Sequence, residues 1–167
     1  HVMPFTAKLD ASRKEQLGLE QLRPWDLAVD PKNRAALEPF NGGKDLVSKT
    51  QNVFDKLSPE LSAFFASMGD GSNTHGTADG AMLDLDSRKG KAPGGYLYFR
   101  DRSKLPFIFM NAAGQHRDVE TMVHEAGHAF HSMYCRDEPY VWYRSSPLEY
   151  AEVASMSMEL LTMPYWD

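Results

Sequence analysis

The spacing of hydrophobic residues along this chain predicts amphipathic helices on both sides of a shorter, strand-rich stretch. Between residues 44 and 57, and again after Pro59, apolar side chains recur every three or four positions. That is the period of an α-helix with one buried face. Ser58 stands directly before Pro59, and it is a typical N-cap residue in front of a proline in the first turn. The pattern therefore predicts two consecutive helices that bury one apolar face each.

The central stretch has a different pattern. Short apolar runs at residues 81–85, 96–99 and 107–110 predict three strands. Residues 88–95 form a basic, glycine-rich loop that lacks the residue order of a phosphate-binding P-loop. Its glycines allow a sharp turn or the close approach of another group, such as an extended peptide that pairs with the edge of the sheet. A solvated loop without a ligand is the alternative interpretation.

The last third of the chain predicts two more helices. Residues 114–134 combine an apolar side with a side that carries histidines, as expected for the floor of a cleft. A further helix is predicted from Pro147 to about Met163, with three glutamates close together on one side. The apolar side of the first of these two helices consists of Met122, Ala126, Ala129, Phe130 and Met133.

These elements predict an α+β fold that is mainly α-helical, with a small sheet. The length of 167 residues suits a single domain over residues 1–167. Within it we expect a helical part at 1–72, a strand-rich part at 73–115 and a final pair of helices at 116–167. In the helical part at 1–72, a further helix is predicted to begin at a cap at residues 10–12 and to end at about Leu19.

Composition and charge exclude several classes of function. With 42% hydrophobic and 25% charged residues, the chain is typical of a soluble globular protein. No apolar run approaches the ~18 residues of a membrane span, so no membrane association is expected. Residues 116–167 contain nine Asp and Glu against three Lys and Arg. This excess argues against a nucleic-acid surface and suits either a divalent cation or a solvated acidic face.

The single cysteine, Cys135, excludes an internal disulfide framework. It fits a reducing compartment, and we therefore expect a cytoplasmic protein. As a side chain, Cys135 is expected to act as a small, buried apolar group.

The histidine-bearing helix contains an H-E-x-x-H pattern. His124 and His128 are four residues apart, so they point the same way and can share one tetrahedral Zn²⁺. Glu125 lies about 100° around the helix from His124. There it can accept a proton from a water molecule at the metal without being a ligand itself. Two ordinary histidines on a helix are the alternative interpretation.

A catalytic zinc site typically takes a third protein ligand and leaves one position open. Glu149 and Glu152 are three residues apart on the next predicted helix, and spacing alone leaves both as candidates. Glu149 belongs to the first turn, where a carboxylate already interacts with the helix dipole. Glu152 is one turn deeper, where a buried carboxylate needs a strong partner such as a metal.

Two segments, H-E-A-G-H-A-F-H at residues 124–131 and E-Y-A-E-V-A-S at residues 149–155, resemble the thimet oligopeptidase and oligoendopeptidase F family of zinc metallopeptidases. Residues 86–91 and 94–96 also resemble that family. The family's signature is H-E-x-G-H-x-x-H, followed by a helix that carries a ligand glutamate. Its members are mostly helical and much longer than this chain. The resemblance therefore implies a middle fragment of a longer peptidase, without the C-terminal His and Tyr residues that stabilise the tetrahedral intermediate in the family.

The resemblance implies a zincin-like catalytic core with one Zn²⁺ per chain. It implies His124, His128 and Glu152 as the metal ligands and Glu125 as the general base. The implied activity is that of a zinc metalloendopeptidase that hydrolyses internal bonds of oligopeptides. The alternative function is a non-catalytic fragment that binds zinc or peptide, and a helical interaction scaffold without metal is a third hypothesis.

Three further residues are candidates for supporting roles. His131 shares the ligand face and matches the last position of the family signature, so it is expected to contact the substrate or a ligand. Glu159 lies two turns beyond Glu152 on the same face and is expected to orient a ligand histidine. Tyr96 is a candidate for lining a substrate groove. For each of the three, an ordinary packing or surface role is the alternative.

Overall fold

The computed structural model of this protein describes residues 2–71 and 80–166. The chain separates into two compact units, His1–Ala36 and Leu37–Asp167. Its longer helices and its strands, in chain order, are α1 (Met3–Leu17), α2 (Gly42–Leu57), α3 (Pro59–Ala66), β1 (Leu83–Asp86), β2 (Gly95–Arg100), β3 (Leu105–Ala112), α4 (His116–Cys135) and α5 (Leu148–Thr162), with 3₁₀ turns at Pro24–Ala28, Val141–Tyr143 and Met163–Tyr165.

The first unit contains α1 and one 3₁₀ turn. The expected cap at residues 10–12 is wrong, because α1 begins at Met3 with a proline in its first turn. The helix ends at Gly18, which adopts a left-handed conformation with φ of 65° that favours glycine. None of the described side chains of α1 is buried. The helix therefore has no buried apolar face that a hydrophobic period could reveal.

The second unit has one hydrophobic core. Helices α2 and α3 contribute Phe54 and Phe65, whose rings are 5.1 Å apart between centroids. Both side chains are essentially inaccessible to solvent. The predicted cap between the two helices is confirmed, because Ser58 Oγ accepts a hydrogen bond from the Leu61 N–H. The apolar period therefore located this helical pair correctly.

The three strands form one sheet in the order β1–β3–β2. Strand β3 pairs with β1 in parallel and with β2 in antiparallel orientation, so β2 is an edge of this sheet. Along β3, buried and partly exposed residues alternate. Ile108 and Met110 join the core beneath α4, whereas Phe107 and Phe109 lie on the opposite face.

Helices α4 and α5 pack against each other and complete the core. All five members of the predicted apolar side of α4 are at most 5% exposed. Helix α4 ends at Cys135, before the polar segment at 136–139. The expected fold class, α+β and mainly helical with a small sheet, is confirmed.

The glycine-rich loop is exposed along most of its length, but two of its cations bind Asp84 in β1. The Lys91 side chain is only 1% exposed, and its ammonium group lies 2.9 Å from Asp84 Oδ1. It also donates to the backbone carbonyls of Asp84 and Asp86. Arg88 binds Asp84 through both of its terminal nitrogens. Two of the three cations that make the loop basic are therefore bound to Asp84 in β1, whereas the third, Lys89, is exposed.

The expected boundary between a helical and a strand-rich part falls within residues 72–79, which lie outside the described residues. The single domain over residues 1–167 stays a prediction. Across residues 2–71 and 80–166, no helix combines the length and the apolar character that crossing a bilayer requires.

Candidate metal centre

Three side chains from α4 and α5 converge on one point. One ring nitrogen each of His124 and His128 and one carboxylate oxygen of Glu152 all lie within 4.8 Å of one another. Glu152 Oε2 is 3.3 Å from His124 Nε2 and 3.7 Å from His128 Nε2. Among the described residues, this is the group of acidic, histidine or cysteine side chains with the geometry to hold a metal ion.

The donor set fits zinc. Tetrahedral ligands about 2.0–2.1 Å from a zinc ion are about 3.3 Å from one another. The two distances from the Glu152 oxygen are therefore close to what a shared zinc ion requires. Glu149, the other candidate carboxylate, is exposed on the first turn of α5 and does not belong to the converging group. The geometry favours Glu152 as the third ligand.

A glycine in the middle of α4 allows the two helices to meet so closely. A Cβ atom on Gly127 would lie 2.7 Å from Ser155 Cα and 2.9 Å from the carbonyl oxygen of Ala154. Both contacts are with α5 backbone, which cannot rotate away. Ser155 is fully buried, and its hydroxyl donates to Glu152 Oε2 at 2.9 Å. Gly127 and Ser155 therefore set the distance between the helices and the orientation of the carboxylate.

Each histidine is oriented by α5 through a polar contact. His124 Nδ1 lies 2.6 Å from Glu159 Oε1. An ionised carboxylate only accepts hydrogen bonds, so this contact places a proton on Nδ1 and leaves the Nε2 lone pair free. A ring N–H of His128 donates to the Ala151 carbonyl. Glu159 thus occupies the position that the sequence suggested for a residue that orients a ligand histidine.

The protonation state of His128 also suits a metal ligand. Burial lowers the pKa of His128 below its ordinary value, and the nearby Glu152 carboxylate opposes this shift only in part. The neutral imidazole, which is the form that binds metal, is therefore favoured.

Glu125 is a buried carboxylate beside the converging group. It is 6% exposed, and burial raises its pKa to about 7, although the nearby His124 lowers it. The Glu152 charge raises it further, and a hydrogen bond from the Leu97 N–H lowers it. A carboxyl group that titrates near neutral pH is suited to accept and release a proton.

The edge strand β2 runs along the metal-binding side of α4. A Cβ atom on Gly95 would lie 2.6 Å from Thr121 Cγ2, near the start of α4. Leu97 contacts Glu125 in the middle of α4. The strand and the helix therefore lie side by side and run in the same direction.

The pairing pattern shows which backbone groups of β2 face outward. Asn111 donates its N–H to the Gly94 carbonyl, so positions 94 and 111 form a hydrogen-bonded pair. In an antiparallel ladder such pairs alternate. The backbone groups of Gly95, Leu97 and Phe99 therefore point away from β3, toward an open edge next to the metal group.

This edge is one wall of a cleft of about 730 Å³ that contains the metal group. His131 lines the cleft, one turn beyond His128. Tyr96 also lines it, half exposed and stacked on Phe109 with 4.8 Å between ring centroids. Further lining residues, not expected from the sequence, are Phe99, Asp101, Ser132, Trp142, Arg144 and Ser146.

Sequence reasoning missed two kinds of participant. A glycine inside a helical pattern is a visible signal of close packing, and Gly127 is such a glycine. The Leu97 N–H and the Ala151 carbonyl have no signal in the sequence, because backbone groups are the same at every position.

The chain is similar to known proteins over nearly its whole length. The model of "Peptidase family M3" matches residues 2–167. Oligoendopeptidase F, chromosomal, of Lactococcus lactis subsp. cremoris is 37% identical over 158 residues, which are 94% of this chain and 24% of that protein. Oligopeptidase PepF of Bacillus subtilis (strain 168) is 27% identical over 164 residues, 98% of this chain and 22% of that protein.

A solved structure of PZ peptidase A with inhibitor 2 superimposes with a TM-score of 0.84. The identity is 34%, and the match covers 99% of this chain and 28% of that chain. The chain thus spans about a quarter of the length of the curated relatives it matches.

Proposed function

Because this chain belongs to peptidase family M3, we propose that it supplies the zinc site of a metalloendopeptidase that hydrolyses internal bonds of oligopeptides. The observation that carries the proposal is the convergence of His124, His128 and Glu152 beside the buried Glu125. The names of the relatives support the peptidase class and the oligopeptide substrates. We further propose one Zn²⁺ per chain and a cytoplasmic location.

A zinc ion bound there would act as a Lewis acid on the scissile carbonyl and would lower the pKa of a water molecule. Glu125 accepts the proton from the attacking water and delivers it to the leaving amine. The raised pKa of Glu125 supports both steps, because the carboxylate and the carboxylic acid are then close in energy near neutral pH. Glu159 binds His124 Nδ1 and so leaves the Nε2 lone pair of His124 available for a metal ion that the site would hold.

The substrate lies along the open edge of β2 as an additional strand. The outward backbone groups of Gly95 and Phe99 and the Leu97 carbonyl support the arrangement, since an extended peptide can pair with them, whereas the Leu97 N–H is bonded to Glu125. In antiparallel pairing, the N-terminal part of the peptide lies near Asp101 and the C-terminal part near Gly95. His131 and Tyr96 line the cleft and are in reach of such a peptide.

The test combines metal analysis with a cleavage assay. We expect one equivalent of zinc in the purified chain. Because this chain spans about a quarter of the length of its curated relatives, chelator-sensitive cleavage of quenched fluorescent peptides is measured in a chain of that length that contains residues 1–167. Glu125→Gln preserves the shape of the side chain, so zinc should remain while cleavage falls by ~10²–10⁴-fold. Cleavage within a few-fold of wild type would remove Glu125 from the mechanism. Stoichiometric zinc and peptide binding without turnover would support the second function, a binding fragment.

A further inference from the structure

The cleft contains one cationic side chain that the proposed chemistry does not use. Among the described residues that line the cleft, Arg144 is the only Lys or Arg, whereas Asp101, Glu125 and Glu152 are acidic. The whole stretch from 116 to 167 has three such cations, of which Arg144 is the one in the cleft. Its position in an otherwise acidic cleft requires an explanation.

The guanidinium of Arg144 is held in place but has no carboxylate partner among the described residues. Its Nε donates to the Glu138 carbonyl at 2.7 Å, and the side chain is partly buried. Three other arginines, Arg34, Arg88 and Arg136, are paired with Asp30, Asp84 and Asp137, whereas Arg13 and Arg100 donate to backbone carbonyls as Arg144 does. Unlike those two, Arg144 lines the cleft. Arg144 thus presents an oriented fork of N–H donors to the cleft.

We propose that Arg144 binds a carboxylate of the peptide substrate and makes this cleft select peptides that carry one at the matching position. The proposal rests on the proposed function, since it concerns the substrate of the same cleft. A planar guanidinium matches a carboxylate through two parallel hydrogen bonds, and partial burial strengthens them. The carboxylate can belong to a Glu or Asp side chain or to the peptide's C-terminus.

The chain geometry limits where this carboxylate lies. Arg144 is four residues before α5, and Glu152 is in the second turn of that helix. The two Cα atoms are therefore at most about 20 Å apart. An extended peptide covers this distance in about six residues. The selected carboxylate therefore lies within about six residues of the scissile bond.

The experiment measures binding to the zinc-loaded Glu125→Gln chain, which retains the cleft but does not cleave. Fluorescently labelled neutral peptides of about twelve residues carry a single Glu or Gln at successive positions, and each is made with a C-terminal acid and with a C-terminal amide. Anisotropy titrations give the dissociation constants. We expect one carboxylate position to bind about 10–100-fold more tightly than its neutral counterpart. A difference between the Glu and Gln peptides identifies a side-chain carboxylate as the group that is bound. A difference between the acid and amide peptides identifies the C-terminal carboxylate.

Two variants in this background separate recognition from a structural role. Arg144→Gln should reduce the preference to within about twofold, and Arg136→Gln, outside the cleft, should retain it. If Arg144 only supports the loop through Glu138, Arg144→Gln would weaken the binding of all peptides to the same extent. The preference for a carboxylate over its neutral counterpart would then remain. That outcome, the absence of any preference, or the absence of saturable binding by every peptide would overturn the proposal. Hydrolysis by a wild-type chain of the relatives' length that contains residues 1–167 tests the proposed function separately. A binding preference without any turnover by that chain would contradict the peptidase and leave the role of Arg144 standing.

Discussion

Two clusters of charged side chains in the second unit are withdrawn from water, and they differ in how their charges are balanced. In the first, Asp84 at β1 binds Arg88 and Lys91, and the Lys91 ammonium has three oxygen partners at 2.9–3.0 Å. Burial would raise the pKa of Asp84, but the hydrogen bonds from Arg88 and Lys91 outweigh it and lower the pKa. Each charge has a partner of opposite sign within the cluster.

The second cluster, around the converging histidines, has no such balance. Glu125 receives one backbone N–H and lies near a second carboxylate, Glu152. Here burial prevails, and the pKa of Glu125 rises to about 7. The same desolvation thus shifts the pKa of the two buried carboxylates in opposite directions because their partners differ. A cluster that neutralises itself serves the fold, whereas one that lacks a cation is a candidate functional site.

The largest expected effect comes from removal of the ligand atoms. The double variant His124→Ala/His128→Ala should lose zinc completely, because one carboxylate cannot hold the ion alone. Elemental analysis after dialysis gives the measurement. Glu152→Ala should lose zinc at far lower chelator concentration than wild type, and Glu149→Ala is the matched control that should change little. One equivalent of metal in the double variant would place the site elsewhere.

The next effect concerns the balanced cluster. Lys91→Met keeps most of the side-chain volume but leaves Asp84 without one of its two cations. We expect a loss of about 3–5 kcal/mol in the free energy of unfolding, measured by denaturant titration of the metal-free chain. The exposed Lys89→Met should change stability by less than about 0.5 kcal/mol. Equal stability of the two variants would show that the buried pair contributes nothing.

A smaller effect of opposite sign is expected at the unbalanced cluster. Because the folded pKa of Glu125 is about 7 against an ordinary value of 4.5, the folded state holds its proton more tightly. Metal-free stability should therefore fall as the pH rises from about 4.5 to 7, by at most about 3 kcal/mol. Glu125→Gln should remove this loss and be more stable than wild type at pH 8 but not at pH 4. Glu15→Gln, at an exposed position of α1, should retain the wild-type pH profile.

The smallest effect concerns orientation of a ligand. Glu159→Gln weakens the contact that holds the proton on His124 Nδ1, so zinc affinity should fall by about 10–100-fold. Competition with a chromogenic chelator measures this change. A zinc affinity equal to that of wild type would reduce Glu159 to a helix-surface residue.

Local periodicity was sufficient to predict much of the fold and part of the candidate metal site. Residues four apart on a helix share a face whatever surrounds them, so the sequence alone placed His124 and His128 together, with Glu125 beside them. The same reasoning located α2, the cap at Ser58 and the apolar side of α4. It offered nothing at α1, whose described side chains are not buried, and the cap expected at residues 10–12 was wrong. The resemblance of two segments to a peptidase family was confirmed by the matches over nearly the whole chain.

Tertiary packing decided everything that depends on two elements meeting. The spacing of Glu149 and Glu152 left both available, and the close contact of α5 with Gly127 brings Glu152 to the histidines. Nothing in the sequence indicated that the Lys91 side chain is buried, and its position relative to Asp84 buries it. The Leu97 N–H acts on Glu125 only because β2 is an edge strand alongside α4. Sequence patterns report the direction of a side chain within its own helix or strand, and only the assembled core determines what that side chain meets.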